Sequence, residues 1–367
     1  MAVAADEDDI GALYDSMVEV LSEECGSIDL HKFYSGEAPL DETLWARAVE
    51  LGWTAIGLPE AHGGLAMGLP GLVALFRALG RFAAPDIFLA TLPAAQWLAD
   101  HGSPELGARI LPGVLTGETT LAVPAAPGGA VVTLTGGKLS GVSSMLIGSP
   151  RATFAILPTN EGFSLVALDS AGVSAAPIEM WDRTRSMMIV TCNGAAPIAA
   201  IADPDGGAGR ALFRILSLAI AADSIAGGRR IAEQTVEYLK TREQFGKPLA
   251  SFQALKHRIA NLMFALEAAD EQVKQGLEWA EAGDIQAALW VSLGKVAASE
   301  AYKVVADDCL QLHGGVGYTW EFDCHIFLKR ALLNQAIAGD NNLHRDIAAN
   351  ALHAASVAGL STAELAA

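Results

Sequence analysis

Two changes of texture along the chain limit its possible folds more than any single motif does. From residue 5 to about residue 120, apolar residues recur at helical spacing, with amphipathic runs around 9–24, 41–51, 69–82 and 90–112. Between Thr120 and Ala202, short Val, Thr, Leu and Ile runs alternate with Gly, Pro and Ser, the pattern of an antiparallel β domain. Inside it, Leu134-Thr-Gly-Gly-Lys-Leu reads as a hairpin. Asp203-Pro-Asp-Gly-Gly-Ala-Gly is a hinge rich in turn residues. From Arg210 to about Leu360 the helical pattern returns, with breaks at 246–251, 283–284, 314–317 and 339–342. Four long helices in succession imply a bundle. The expected architecture is α+β: a helical domain over 1–120, a β domain over 121–203 and a helical bundle over 204–367.

Composition narrows the function. With 51% hydrophobic and only 18% charged residues, 367 residues can bury a large core and still leave apolar surface for oligomerisation. A formal net charge of −18 argues against general nucleic-acid binding. No uncharged apolar run reaches the length of a membrane span, and the acidic start lacks the order of a signal peptide. Cys25, Cys192, Cys309 and Cys324 are scattered without metal or disulfide spacing. A reduced, cytoplasmic protein without a metal site is expected.

Chemistry concentrates at one break. The apolar run from Ala211 to Leu239 stops at Gly246 and Pro248, and a new helix follows Ser251, which can act as its N-cap. Arg242, Gln244 and Phe245 crowd this break. A forked cation, an amide and an aromatic ring together suit a phosphate-bearing, partly flat ligand. Further on, Gly314-Gly315-Val316-Gly317 allows close backbone approach to a diphosphate, although such a run alone also serves as a tight helix–helix turn.

Arg242-Glu-Gln-Phe-Gly-Lys-Pro-Leu, Phe252-Gln-Ala-Leu-Lys-His and Gln311-Leu-His-Gly-Gly-Val-Gly-Tyr-Thr-Trp-Glu closely resemble signatures of the acyl-CoA dehydrogenases. That resemblance implies a helical N-terminal domain, a β barrel and a four-helix C-terminal bundle around FAD. It implies trans α,β-desaturation of an acyl-CoA thioester, with electrons passing to an electron-transfer flavoprotein. By the same resemblance Arg242, Gln244 and Phe245 contact the ADP half of FAD across a dimer interface. Gln311, Gly314, Gly315 and Gly317 join them there, and Asp340 lies where the family's last turn meets the flavin.

Two departures bear on catalysis. One family position for the base is a Glu in a Glu-Gly-Thr turn, and the matching stretch here is Ala338-Gly339-Asp340. In a branch acting on bulky, steroid-like substrates the Glu falls 19 residues before the motif's Arg, which here gives Asp223. A lone carboxylate on an apolar, small-residue face is a candidate general base. General base is the leading reading for Asp223; the alternatives are an ion pair with Arg229, Arg230 or an Arg of another helix, and a catalytic relic. The second departure is Leu121-Ala-Val-Pro-Ala-Ala-Pro-Gly-Gly129, which stands where the family has a polar strand and loop holding flavin and thioester. Similar erosion marks one subunit type of the heterotetrameric enzymes of actinobacterial sterol side-chain catabolism. The expectation is therefore a tetramer, with a heterotetramer built with a related chain as one form. The alternative to an enzyme is a non-catalytic partner that completes its neighbour's FAD site.

Overall fold

The computed structural model describes residues 7–359 apart from 86, 130–131, 150 and 281–283. It divides into two compact units, one of Met1–Glu24, Lys32–Leu75 and Ala84–Leu216, the other of Cys25–His31, Phe76–Ala83 and Ser217–Ala367. Six helices come first: α1 (Glu7–Glu24), α2 (Ser27–Ser35), α3 (Leu40–Glu50), α4 (Gly68–Arg81), α5 (Phe88–His101) and α6 (Pro104–Leu115). The start of α6 shows the local logic. Ser103 caps it by accepting a hydrogen bond from the Leu106 amide at 3.2 Å, and Pro104 occupies the first turn, where no amide is needed. Most of α5 is buried, and its Thr91 hydroxyl accepts from the Leu121 amide at 3.1 Å, tying the helix to the first strand.

The strands are β1 (Leu121–Pro124), β2 (Thr133–Thr135), β3 (Lys138–Val142), β4 (Leu146–Ile147), β5 (Phe154–Thr159), β6 (Gly162–Ala167), β7 (Val173–Ile178), β8 (Met187–Ala195) and β9 (Ala199–Ala202). Their order is β2-β3-β8-β4-β1-β5-β6-β9, with β7 also on β8. The hairpin expected at 134–142 is β2–β3. Thr135 faces Lys138, and Gly136 and Gly137 are both left-handed, as a two-residue turn of this twist requires. Pairing is antiparallel except between β1 and β5, which run parallel. β1 is inside the sheet, between β4 and β5, and all four of its residues are buried. Burial on both faces explains its unbroken apolar sequence.

The second unit contains most of α7 (Gly207–Thr241), then α8 (Gln253–Trp279), α9 (Asp284–His313), α10 (Cys324–Asn334) and α11 (Asn341–Val357). The break expected at 283–284 borders 281–283, which lie outside the described residues. Helices α8 and α9 approach at backbone contact: a Cβ on Gly294 would stand 2.9 Å from the Gln272 carbonyl oxygen. α7 is long and apolar enough to span a membrane, but 83% of that apolar window is buried inside the protein, as in a core helix. Ser251 is not the cap of α8. After Pro248 the chain makes a 3-10 turn, Leu249–Ser251, which shifts the helix start to Gln253 and leaves Phe252 as an N-cap without a side-chain hydrogen bond.

Candidate functional site

Two clusters form in the second unit, at opposite ends of the C-terminal half of α7. At its C-terminus the chain turns into a ribbon of two short strands, β10 (Glu243–Gln244) and β11 (Lys247–Pro248), with Gln244 facing Lys247. The two turn residues, Phe245 at φ +54° and Gly246 at φ +75°, are left-handed. Glycine adopts that conformation freely, whereas a bulky residue there costs about 1–2 kcal/mol. Phe245 is nonetheless 89% exposed and only meets Phe252 edge-on, at 6.1 Å between ring centroids. The ring thus gains little packing within its own chain for the strain it carries. Arg242 and Gln244 are exposed beside it, and among the described residues Arg242 has no ion-pair partner.

Tyr238, one turn before Arg242, brings the second motif alongside. Its ring stacks on His313 at 4.3 Å and 17°, and its hydroxyl donates to the His313 carbonyl at 3.3 Å. Directly after His313, Gly314 (φ +67°) and Gly315 are exposed, and a Cβ on either would meet nothing within 4 Å. Gly317 differs, being buried where a Cβ would come 2.8 Å from the Leu310 carbonyl oxygen. It fits the tight-turn reading of the run. Gln311 is exposed on the last turn of α9. A cavity of about 1080 Å³ opens beside these groups, lined by Tyr238, Thr241, Arg242, Met263, His313 and Phe322 among others. Arg242 and the rings of Tyr238, His313 and Phe322 share this lining with the acidic Glu233, Glu237, Glu321 and Asp323, so the groups that could hold the ADP half of FAD are the exposed Arg242 guanidinium and the open Gly314–Gly315 backbone outside the lining.

Asp223 lies 19 residues earlier, about 28 Å back along the α7 axis. It is 1% exposed and its carboxylate is fully engaged. Arg330 of α10 donates from Nε at 3.2 and 3.1 Å to the two oxygens and from Nη2 at 2.5 Å, while Asn334 Nδ2 donates at 2.7 Å. Arg330 is itself 1% exposed, so both charges of the pair are fully desolvated. Arg229, considered as a partner from sequence, instead pairs with Glu267 and Asp270. The helix α4 closes in from another side, with Gly80 packed on the Asp223 backbone so tightly that a Cβ would stand 2.5 Å from its carbonyl oxygen. Asp340 is exposed and serves as the N-cap of α11, accepting from the Leu343 amide at 2.8 Å, which holds its carboxyl below the ordinary range.

The structure thus gathers Arg242, Gln244, Phe245 and the Gly314–Gly317 edge at one end and leaves Asp223 and Asp340 in separate surroundings. Arg330 and Asn334 were not singled out from the sequence. Their signal was a pair of polar residues four apart, on one face of α10, Cys324-His-Ile-Phe-Leu-Lys-Arg-Ala-Leu-Leu-Asn, where both are buried. Among the described residues no group of three or more His, Cys, Asp or Glu could hold a metal ion. The four cysteines are free and buried, and burial pushes the thiols of Cys25, Cys309 and Cys324 up to about 12.

The chain is similar to known proteins over most of its length. The chain is 29% identical over 320 residues to the acyl-CoA dehydrogenase IpdE2 of Mycobacterium tuberculosis, covering 87% of this chain and 89% of that one. It resembles a solved variant of the Tcur3481–Tcur3483 steroid ACAD, with TM-score 0.86, 26% identity and coverage of 95% and 99%. The ChsE4–ChsE5 complex from Mycobacterium tuberculosis is similar at TM-score 0.85, 25% identity and coverage of 96% and 99%. A further relative, the acyl-CoA dehydrogenase FadE28 of the same organism, is 31% identical over 305 residues, covering 77% of this chain and 84% of its own. With residues 211–353 matching the acyl-CoA dehydrogenase C-terminal domain and residues 8–118 the N-terminal domain, this chain belongs to the acyl-CoA dehydrogenase family.

Proposed function

We propose that this chain is the supporting subunit of a heteromeric acyl-CoA dehydrogenase, whose α-proton-abstracting carboxylate comes from a related chain. One observation carries the reading: Asp223 is buried and bound through both oxygens by Arg330 and Asn334. A base for an α-proton needs a free oxygen facing the substrate and a raised proton affinity. An adjacent guanidinium favours the charged carboxylate and works against both. The other family position offers no carboxylate in its place, since Ala338 and Gly339 are buried there.

In this reading the chain's contribution is binding. Arg242 pairs with a phosphate, Phe245 offers a ring face, Gln244 and Gln311 offer amides, and Gly314 and Gly315 offer open backbone. FAD, when bound, would supply the acceptor for the substrate's β-hydride, with an electron-transfer flavoprotein as the partner that would reoxidise it. The apolar Leu121–Pro124 strand has no polar side chain to hold flavin or thioester. The two similar solved assemblies pair chains of different name, which supports a heterotetramer here, and the steroid ACAD among them supports a bulky, steroid-like acyl-CoA as substrate.

The test is to express the chain alone and together with a related acyl-CoA dehydrogenase chain, then measure flavin content and desaturation of an acyl-CoA panel with an artificial electron acceptor. Colourless, inactive protein that gains both properties only in the pair, and whose Asp223→Asn variant still turns over in the pair, is expected. Yellow protein that is active alone and loses turnover with Asp223→Asn would restore Asp223 as the base of a self-sufficient dehydrogenase.

A further inference from the structure

Gly227-Gly-Arg-Arg-Ile sets two arginines side by side in α7, and successive residues of a helix diverge by about 100°. Arg229 turns to α8 and pairs there with Glu267 and Asp270. Arg230 turns away, with its guanidinium carbon 6.0 Å from the centre of the Phe82 ring. It is half-buried and lines the cavity beside Tyr238, yet among the described residues it has neither an ion pair nor a side-chain hydrogen bond. A guanidinium keeps its charge in a protein, so partial burial without an acceptor costs solvation that nothing in the fold returns. Desolvation, and then the neighbouring Arg81, pull Arg230 below its ordinary value against the opposing pull of Glu233 and Asp323.

The acids near Arg230 are engaged elsewhere. Glu233 holds Arg81 in a fork, accepting from Nη1 at 3.2 Å and from Nη2 at 2.8 Å. Asp323, 7% exposed, accepts from Ser27 Oγ at 2.6 Å and Gln234 Nε2 at 2.9 Å, and His31 Nε2 lies 2.9 Å from it. Glu237 pairs with Lys240 at 2.7 Å. Glu321 is the one acid of the lining with no cation or side-chain donor among the described residues. Four acids and two arginines line the cavity, but its uncommitted charges are Arg230, Arg242 and Glu321. The balance of free charge therefore favours an anion. Val236, Met263 and Phe322 belong to the same lining, so a body attached to that anion meets apolar surface.

We infer that the Arg230 end of the cavity is an anion subsite for a carboxylate or phosphate carried on an apolar body. The guanidinium fork meets two oxygens of the head group, a geometry both oxyanions share. Arg230 stands twelve residues before Arg242, about 18 Å along the α7 axis, so the subsite is separate from the Arg242 cluster and does not depend on FAD.

Isothermal titration calorimetry on the full chain tests it, with decanoate, decyl phosphate, inorganic phosphate and decyltrimethylammonium as probes and no flavin present. Decanoate or decyl phosphate is expected to bind wild type. Arg230→Gln is expected to weaken that binding by about tenfold or more, the scale of losing a hydrogen bond to a charged group. Arg230→Lys keeps the charge without the fork and is expected to fall between the two. Glu321→Gln removes the opposing free charge and is expected to tighten the same probes. Decanoate bound more tightly than decyl phosphate assigns a carboxylate, the reverse a phosphate, and either supports the subsite. Since Arg230 has no partner in the fold, Arg230→Gln is expected to keep the wild-type denaturant midpoint, which separates lost binding from unfolding. Should that midpoint fall, Arg230→Lys and Glu321→Gln still decide the matter. Binding unchanged by Arg230→Gln overturns the proposal, and so does failure of wild type to bind either anionic amphiphile. Preference for decyltrimethylammonium overturns it by making the acids the recognition element. Inorganic phosphate bound as tightly as decyl phosphate overturns it too, because the apolar body would then contribute nothing.

Discussion

Replacing Arg330 by Met is the most direct test of how Asp223 is used. The two side chains are 2% and 1% exposed, so solvent screens little of their interaction. Met fills much of the same volume but leaves the carboxylate with only the Asn334 amide as a partner among the bonds described above. Breaking a buried pair from one side costs about 3–5 kcal/mol, because the remaining charge is stranded. Asp223→Ala removes the guanidinium's carboxylate partner instead and falls in the same range. The double variant strands neither, so it is expected to be less damaged than the sum, with a coupling of about 1–3 kcal/mol. Guanidinium chloride titration followed by circular dichroism, on wild type and all three variants, gives the cycle. Single variants within about 0.5 kcal/mol of wild type, with no coupling, would refute the pairing. Asp223 would then be free for chemistry.

Gly80→Ala puts a methyl 2.5 Å from the Asp223 carbonyl oxygen and 2.6 Å from its Cα, so overpacking is expected to cost about 1–3 kcal/mol in the same titration. Phe245→Gly removes the left-handed penalty and an exposed ring, so chain stability is expected to stay level or rise by up to about 1 kcal/mol while FAD affinity of the assembled pair falls. A loss of stability would show that the ring packs. Lys295 also sets a pH dependence. Its folded value of about 7 lies below the ordinary 10.5, so between these limits the unfolded chain binds more protons. Unfolding free energy from this group therefore rises with pH across that window and is flat below it, and Lys295→Met is expected to remove that slope. Denaturant midpoints compared at pH 6.5 and 9 measure it, and an equal slope in the variant would contradict it.

What could be read from the sequence was local. Helical periodicity located α1, α3, α4 and the α7–α9 succession, and Gly136-Gly137 marked the β2–β3 turn because two left-handed residues leave few alternatives. Arg242 and Phe245 were legible as a candidate site because their residue types are informative without a partner. Asp223 was legible as an oddity but not as a pair, since Arg330 lies 107 residues away and nothing local fixes its direction. Lys295 passed unnoticed for the same reason: its acceptors are two carbonyls and an amide some 40 residues on, and carbonyls leave no mark in a sequence. The Ser251 cap failed because a Pro-initiated 3-10 turn took up the residues the helix was expected to use.

The burial of β1 has a consequence for how such a chain can evolve. Leu121, Ala122 and Val123 are each at most 1% exposed, and they sit between two strands with side chains packed on both faces. A polar residue introduced there one at a time would be buried without a partner, at about 1–3 kcal/mol each, before any ligand contact could repay it. Drift away from a polar strand can proceed in single steps, each neutral or stabilising, while the return requires several changes at once. The strand therefore behaves as a ratchet, easier to leave than to re-enter.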